Sequence, residues 1–163
     1  MLKSEALAEK VVVVIGGTTG LGWSAARALA AAGAKVVVTG RDTAPATQAG
    51  QELGKDGLAL VSDAIDPKTA AAAIAAARER FGGFHGLYHV AGGSGRSLGD
   101  GPLHELTDEG WRATLDLNLS SLVWSNRAAV RQFLAQGGGG SILNIGSVLG
   151  WSPSPQFFAT HAY

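Results

Sequence analysis

The sequence contains no cysteine, one methionine and few aromatic residues, which make up 7% of the 163 residues. Without cysteine the chain can form neither a disulfide framework nor a thiolate metal site. Lys and Arg together number 13, as do Asp and Glu, so the chain lacks the excess positive charge expected of a nucleic-acid-binding protein. The four histidines lack the close spacing of a zinc cluster, and no metal site is implied. They are His85, His89, His104 and His161.

Long apolar segments are also missing. The longest uninterrupted apolar run is far shorter than a membrane-spanning helix, and residues 1–10 have no apolar core of signal-peptide length. We therefore expect a cytoplasmic protein that binds neither a membrane nor a nucleic acid. A chain of 163 residues is long enough for one domain with a proper core, and we expect residues 1–163 to form a single domain.

The sequence does contain short apolar runs that alternate with alanine-rich helical stretches. Within the runs, apolar and polar residues do not alternate, as expected for strands that are covered on both faces. The predicted strands are Val11–Ile15, Lys35–Thr39, Leu58–Val61, Leu87–Val90 and Ser141–Ile145. This order of strands and helices indicates an α/β fold, a doubly wound parallel sheet with helices on both faces.

Four helices are predicted between these strands. They are Leu21–Ala32, Pro45–Leu53, Pro67–Phe81 and Thr107–Ala135. A capping residue and an early proline mark the start of the second and third, in the pairs Thr43/Pro45 and Asp66/Pro67. The last helix carries an apolar stripe that we expect to pack on the sheet. The stripe consists of Trp111, Leu115, Leu119 and Leu122.

A glycine-rich turn directly follows the first strand and leads into a helix. Glycine permits positive φ, lets the backbone approach a pyrophosphate and allows the helix to sit close to the strand. Unpaired N–H groups and the helix dipole then hold the phosphates. A glycine-rich connection without a ligand is the alternative, which the surrounding βαβ unit disfavours. The predicted phosphate-binding residues are Gly16, Thr18, Thr19, Gly20, Leu21 and Gly22.

The spacing Gly-x-x-x-Gly-x-Gly, formed by Gly16, Gly20 and Gly22, is similar to the glycine motif of the short-chain dehydrogenase/reductase family. Later motifs follow in the family's order along essentially the whole chain. They are Asp63, Ala91-Gly92, Asn118, Ser147 and Tyr163. The resemblance implies a Rossmann-like fold that binds NAD(P). It also implies hydride transfer between the nicotinamide and a small-molecule carbonyl or secondary alcohol, with the 3-oxoacyl-thioester reductases as the nearest functional analogy.

The end of the second strand bears on the choice of cofactor. An acidic residue there binds the ribose hydroxyls of NAD, whereas an arginine accommodates the additional phosphate of NADP. The chain reads Thr39-Gly40-Arg41-Asp42, and the planar fork of Arg41 suits phosphate oxygens. We therefore predict NADP in preference to NAD, although Asp42 weakens the preference. The alternative is that Arg41 and Asp42 are solvated turn charges, with Asp42 capping the next helix.

Further cofactor contacts are implied by the resemblance alone. Asp63 would hydrogen-bond the adenine amino group, and Ser62 or Ala64 would contribute backbone contacts. Ala91 and Gly92 would form a small backbone surface against the cofactor.

The family usually reads Asn-Asn-Ala-Gly at this last point, where the present chain has His89-Val90-Ala91-Gly92. The hydrogen bonds of the two asparagines must therefore be made in another way. A histidine beside a buried strand is more often a packed residue than a catalytic base, and we interpret His89 as packed.

The resemblance implies three catalytic residues in this chain. Tyr163 would protonate the substrate oxygen, Ser147 would hydrogen-bond that oxygen, and Asn118 would support a water beside the family's lysine. That lysine lies four residues after the tyrosine, whereas the sequence ends at Tyr163. We therefore expect the domain to be incomplete at its C-terminal end, to lack the last strands of the sheet and to be inactive by itself.

Two alternatives to a reductase come from other classes. One is a non-catalytic dinucleotide-binding protein or an inactive truncated fragment, which would retain the fold without turnover. The other is a glycine-rich methyltransferase-like domain, which the ordered Asn118, Ser147 and Tyr163 disfavour. The resemblance also implies that the intact protein is a homo-oligomer, with Trp124 and Phe133 on the long helix as candidate contacts.

Overall fold

Five parallel strands form the centre of the molecule. The computed structural model describes residues 7–152. The strands are β1 (Val11–Ile15), β2 (Lys35–Gly40), β3 (Gly57–Val61), β4 (Gly86–His89) and β5 (Ser141–Asn144). Their order across the sheet is β3-β2-β1-β4-β5, and every neighbouring pair is parallel. The predicted doubly wound sheet is confirmed, and no strand boundary differs from its prediction by more than one residue.

Helices cover both faces of this sheet. They are α1 (Gly20–Ala31), α2 (Thr43–Leu53), α3 (Thr69–Phe81), α4 (Asp108–Leu115) and α5 (Ser121–Gln136). α1 and α2 contribute to a valine- and alanine-rich core on one face, and α3 and α5 to a second core on the other. Every residue of β1 is buried, as a central strand between two cores requires. Between residues 7 and 152, no helix has both the length and the apolar character needed to cross a membrane.

The chain changes direction across the sheet after β3. It builds outward from β1 to β3 and then returns to place β4 on the other side of β1. The carboxyl ends of β1 and β4 therefore lie side by side, with Ile15 paired to His89. Ligands of open α/β sheets bind in the crevice at such a switch point. The topology thus directs attention to the carboxyl ends of β1 and β4.

Two helix starts differ from their predictions. α2 begins at Thr43, two residues early, and its capping residue Asp42 makes no side-chain capping hydrogen bond. α3 begins at Thr69. Asp66 lies in a turn before it, where its carboxylate accepts a hydrogen bond of 2.9 Å from the backbone N–H of Lys68. The prediction misplaced the first turn of α3 because Asp and Pro favour isolated turns as well as helix starts.

The predicted long helix over residues 107–135 is interrupted by a π-helical turn, Asp116–Ser120, between α4 and α5. The predicted apolar stripe on the sheet is wrong, and its member Leu119 is 41% exposed. The buried side chains of this region are instead Thr114, Asn118, Ser121, Ser125, Ala129 and Phe133. This face lies one residue, about 100° around the helix, from the apolar stripe. On this face Asn118 bonds to Gly93 of the β4–α4 connection, and Ser121 and Ser125 lie within hydrogen-bond distance of His89.

Phe133, a candidate oligomer contact in the sequence, lies in the core instead. It is buried, and its ring stacks on that of Phe84 with 4.8 Å between the centroids. An aromatic residue near the end of a helix can belong either to the core or to a surface contact. The sequence does not distinguish these two positions, whereas the packing in the structure does. Trp124 stays partly exposed on α5.

Candidate functional site

A cleft of about 330 Å³ opens at the carboxyl ends of β1 to β4, at the switch point of the sheet. All predicted cofactor-binding residues except Gly20 line it. They are Gly16, Thr18, Thr19, Leu21, Gly22, Arg41, Asp63, Ala64, Ala91 and Gly92. Predicted residues that lie up to about half of the chain length apart in sequence thus line the same cleft.

The turn after β1 requires glycine at two positions. Gly16 has a φ of +82°, and a Cβ there would lie 2.7 Å from the backbone nitrogen of Ala91. A Cβ on Gly22 would overlap the carbonyl oxygen of Gly16. Because Gly16 has no side chain, the turn can contact the segment after β4. Because Gly22 has none, the start of α1 can lie directly on the turn.

The first turn of α1 offers unpaired backbone N–H groups at the cleft. The capping residue Thr19 makes no side-chain hydrogen bond to the helix, and the first turn contains no acidic residue. The first N–H groups of a helix have no intrahelical partner and carry partial positive charge. The start of α1 is therefore suited to bind an anion such as a pyrophosphate.

The end of β2 forms the adjoining wall. A Cβ on Gly40 would overlap the side chain of Thr18, so glycine lets β2 and the glycine-rich turn meet without an intervening group. Arg41 and Asp42 follow on the exposed rim of the cleft. In the part of the chain that the structure describes, Arg41 forms no salt bridge.

The end of β3 contributes a hydroxyl that lacks a partner. Ser62 Oγ is buried beside the cleft and makes no hydrogen bond within residues 7–152. Asp63 is fixed nearby, since its Oδ1 accepts a bond of 3.2 Å from the N–H of Ile65 and its carbonyl accepts one of 2.5 Å from the hydroxyl of Thr69. An unpaired buried hydroxyl costs free energy unless a ligand or water completes it. Ser62 is therefore a candidate polar contact for a water or a bound molecule, whereas the sequence suggested only a backbone role.

Val90, Ala91 and Gly92, which follow β4, form the floor of the cleft, and Gly93 comes directly after them. The N–H of Ala91 donates to the carbonyl of Ile15 at 2.9 Å. The buried amide of Asn118 holds Gly93 twice: its Oδ1 accepts from the N–H at 2.8 Å and its Nδ2 donates to the carbonyl at 3.0 Å. The side chain of Asn118 is thus engaged in fixing the floor, and its predicted role toward a water stays a prediction.

His89, the last residue of β4, lies beneath this floor and is 1% exposed. Its Nδ1 lies 3.0 Å from Ser125 Oγ, and its Nε2 lies 3.0 Å from the carbonyl oxygen of Ala91 and 3.3 Å from Ser121 Oγ. Burial lowers the pKa of His89 from its ordinary value of 6.5, so the imidazole is neutral at pH 7. The structure agrees with the interpretation of His89 as a packed residue.

Of the remaining predicted site residues, Ser147 follows β5 and lies outside the cleft lining. Its Oγ accepts a hydrogen bond of 3.1 Å from the N–H of Leu149, which leaves the hydroxyl hydrogen free to donate. Tyr163 lies outside the described residues. The structure therefore brings all predicted cofactor residues except Gly20 to one cleft and places Asn118 against Gly93 beside it. The pairing of Ser147 with Tyr163 stays a prediction.

The sequence interpretation missed the polar face of the α4–α5 region. Thr114, Asn118, Ser121 and Ser125 recur at spacings of 4, 3 and 4, and all four are buried. A helical period in hydrogen-bonding residues was thus present in the sequence. The larger residues of the adjacent apolar stripe concealed it.

Comparisons with known proteins agree with this geometry. A family model described as short chain dehydrogenase matches residues 10–162. The 2,5-dichloro-2,5-cyclohexadiene-1,4-diol dehydrogenase of Sphingobium indicum is 35% identical over 91% of this chain and 58% of its own length. Galactitol 2-dehydrogenase of Agrobacterium fabrum is 31% identical over 88% of this chain and 55% of its own length. The chain therefore spans a little over half of the curated relatives it matches.

Solved structures show the same similarity. A short chain dehydrogenase from Bacillus anthracis superimposes with a TM-score of 0.86 at 26% identity, covering 97% of this chain and 63% of that one. A short-chain type dehydrogenase/reductase from Mycobacterium ulcerans gives a TM-score of 0.85 at 31% identity, covering 94% and 57%.

Proposed function

This chain belongs to the short-chain dehydrogenase family, and we propose that it is the cofactor-binding part of an NADP-dependent oxidoreductase. The reaction is hydride transfer between the nicotinamide and a small-molecule carbonyl or secondary alcohol. The observation that carries the proposal is the cleft at the switch point, where a glycine-rich turn and the uncapped start of α1 adjoin the unpaired hydroxyl of Ser62. These groups fit the phosphates and adenosine of a dinucleotide.

The rim of the cleft supports NADP over NAD. Gly40 leaves the end of β2 without a carboxylate, and the adjacent Arg41 is exposed and forms no salt bridge to the described residues. Asp42 lies at the start of α2, where the helix dipole offsets part of its charge. A 2′-phosphate would therefore meet a guanidinium that is not already paired with any residue between 7 and 152.

The substrate class is proposed from the relatives and from the chemistry of Ser147. The two curated relatives are named as dehydrogenases of a cyclohexadiene diol and of galactitol, which supports an alcohol or the corresponding carbonyl. When bound, the nicotinamide supplies or accepts the hydride. Ser147 retains a hydroxyl hydrogen that can donate to the substrate oxygen. The proton exchange assigned to Tyr163 rests on the family resemblance alone.

Titration with NADPH and NADH tests the proposal, using both this chain and the product of the complete reading frame. We expect the complete protein to bind NADPH more tightly and to turn over members of a panel of ketones and secondary alcohols. Arg41→Ala should weaken NADPH binding about tenfold and leave NADH binding unchanged, because only the 2′-phosphate contact is lost. Arg112→Ala, an exposed arginine on α4, is the matched control. Binding of neither dinucleotide by the complete protein would contradict the proposal.

A single NAD(P)-binding domain, a cytoplasmic location and a homo-oligomeric intact protein complete the proposal. The oligomer is supported by the partly exposed Trp124 and by Val123 and Val130, exposed apolar residues of α5. Sedimentation of the complete protein at micromolar concentration tests it, and a monomer would count against it.

A further inference from the structure

We propose that His89 is a positioning residue for the cofactor site. Its imidazole ties the carbonyl of Ala91, and with it the segment 90–93, to Ser121 and Ser125 of α5. This inference deepens the proposed function and rests on it. His89 does not line the cleft, and its exposure of 1% keeps it from a substrate, so its role is exerted through Ala91.

The hydrogen-bond partners of His89 select one tautomer. The carbonyl oxygen of Ala91 only accepts, so Nε2, at 3.0 Å, must carry the hydrogen. Nδ1 of a neutral imidazole is then an acceptor, and the hydroxyl of Ser125 can donate to it across 3.0 Å. The single hydroxyl hydrogen of Ser125 could otherwise return to the carbonyl of Ser121 at 2.9 Å. His89 Nδ1 and the carbonyl of Ser121 therefore compete for the hydroxyl hydrogen of Ser125.

The tie matters because Ala91 lies against the phosphate-binding turn. Its N–H is held by β1 through the carbonyl of Ile15 at 2.9 Å, and its own carbonyl is held by His89. The site of a Cβ on Gly16 lies only 2.7 Å from the backbone nitrogen of Ala91, so the two segments have no space between them. A displacement of Ala91 would therefore move the floor of the cleft and press on the glycine-rich turn.

The family's usual motif differs from this chain at His89. The family resemblance places asparagine where the chain has His89. The imidazole offers two ring nitrogens on opposite sides, and they reach Ala91 and two successive turns of α5 together. An asparagine would supply the donor for Ala91 on a shorter side chain. We expect it to replace the contact to Ala91 better than the contact to Ser125.

Dinucleotide affinity and steady-state kinetics of the complete protein test the inference, with NADPH as the probe. His89→Ala should raise the dissociation constant of NADPH about tenfold, because it removes the side-chain donor that holds the Ala91 carbonyl. Turnover at saturating NADPH should fall as well, since the floor remains misplaced after binding. His89→Asn should restore most of the affinity, and Ser125→Ala should show a smaller loss than His89→Ala.

Phe133→Leu is the matched control for lost stability. It weakens the core at the other end of α5, where Phe133 stacks on Phe84, and should leave the dissociation constant for NADPH unchanged. Urea unfolding of each variant establishes that binding is measured on folded protein. An equal loss of affinity in Phe133→Leu and His89→Ala would reduce His89 to a general structural role and overturn the inference.

The remaining outcomes separate this inference from the proposed function. Wild-type protein that binds and turns over NADPH, with His89→Ala unchanged, overturns only the positioning role. If His89→Ala does not fold, Ser125→Ala decides, and an unchanged dissociation constant in that variant overturns the inference. Wild-type protein that binds neither NADPH nor NADH overturns the proposed function and the inference with it.

Discussion

Helices α3 and α5 lie side by side on one face of the sheet but bury different kinds of side chain. The buried aliphatic residues of α3 are Ala70, Ala73, Ile74 and Ala77. α5 and the turn before it bury polar residues near the cleft and apolar ones farther along, in the order Asn118, Ser121, Ser125, Ala129 and Phe133. Polarity therefore follows distance from the cleft. α3 therefore contributes mainly to stability. In α5, the apolar half contributes to stability and the polar half, near the cleft, holds the site.

The largest expected effect tests the apolar helix. Ile74→Ala removes a side chain that is 3% exposed and leaves a cavity in the core of α3. It should lower the free energy of unfolding by about 3 kcal/mol, as measured by urea denaturation. The dissociation constant for NADPH should not change in the folded protein. A marked loss of binding would show that α3 is not separate from the site.

Asn118→Ala should reduce stability less than Ile74→Ala does, but it should reduce function more. The substitution leaves the N–H and carbonyl of Gly93 without their partner, at a cost of about 2 kcal/mol in unfolding free energy. NADPH affinity and turnover should both fall, because the floor of the cleft is released. Ser120→Ala, on the exposed side of the same turn, should change neither quantity. Full activity in Asn118→Ala would show that the polar residues of this region do not hold the site.

Acidification should produce the smallest effect, through His89. Its folded-state pKa is below 6.5, so the unfolded chain binds more protons between that lowered value and 6.5. The contribution of neutral His89 to stability is therefore complete above pH 6.5 and is lost as the pH falls through the folded-state pKa. The loss is at most about 1.4 kcal/mol per pH unit. None of the described charged side chains contributes to this shift.

Urea unfolding at pH 7 and pH 5 measures this effect, with His89→Asn as the reference that lacks the titrating ring. Wild type should lose more unfolding free energy between the two pH values than His89→Asn does. Parallel losses in the two proteins would mean that His89 is not buried as a neutral ring.

The fold and the glycine-rich side of the cleft were predictable because local sequence determines them. Uninterrupted valine runs give β1 and β2, and Gly16 and Gly22 stand where a Cβ would overlap neighbouring backbone. The polar face of α5 was not predictable in this way. Trp111 and Leu115 suggested a more hydrophobic face, and only the burial of Asn118 and its contact with Gly93 show which side of the helix faces inward. The unpaired state of Ser62 likewise depends on its packing.

The switch point between β1 and β4 has a kinetic consequence during synthesis. β1 is flanked on one side by β4, and the paired residues Val12 and Gly86 are 74 positions apart in the chain. At roughly 5–20 residues per second, a ribosome needs roughly 4–15 seconds to make that intervening length. For that interval, one edge of a five-residue valine-isoleucine strand has no native partner. Nascent chains of this protein should therefore be most prone to misassociation, and most dependent on chaperones, before β4 is synthesised.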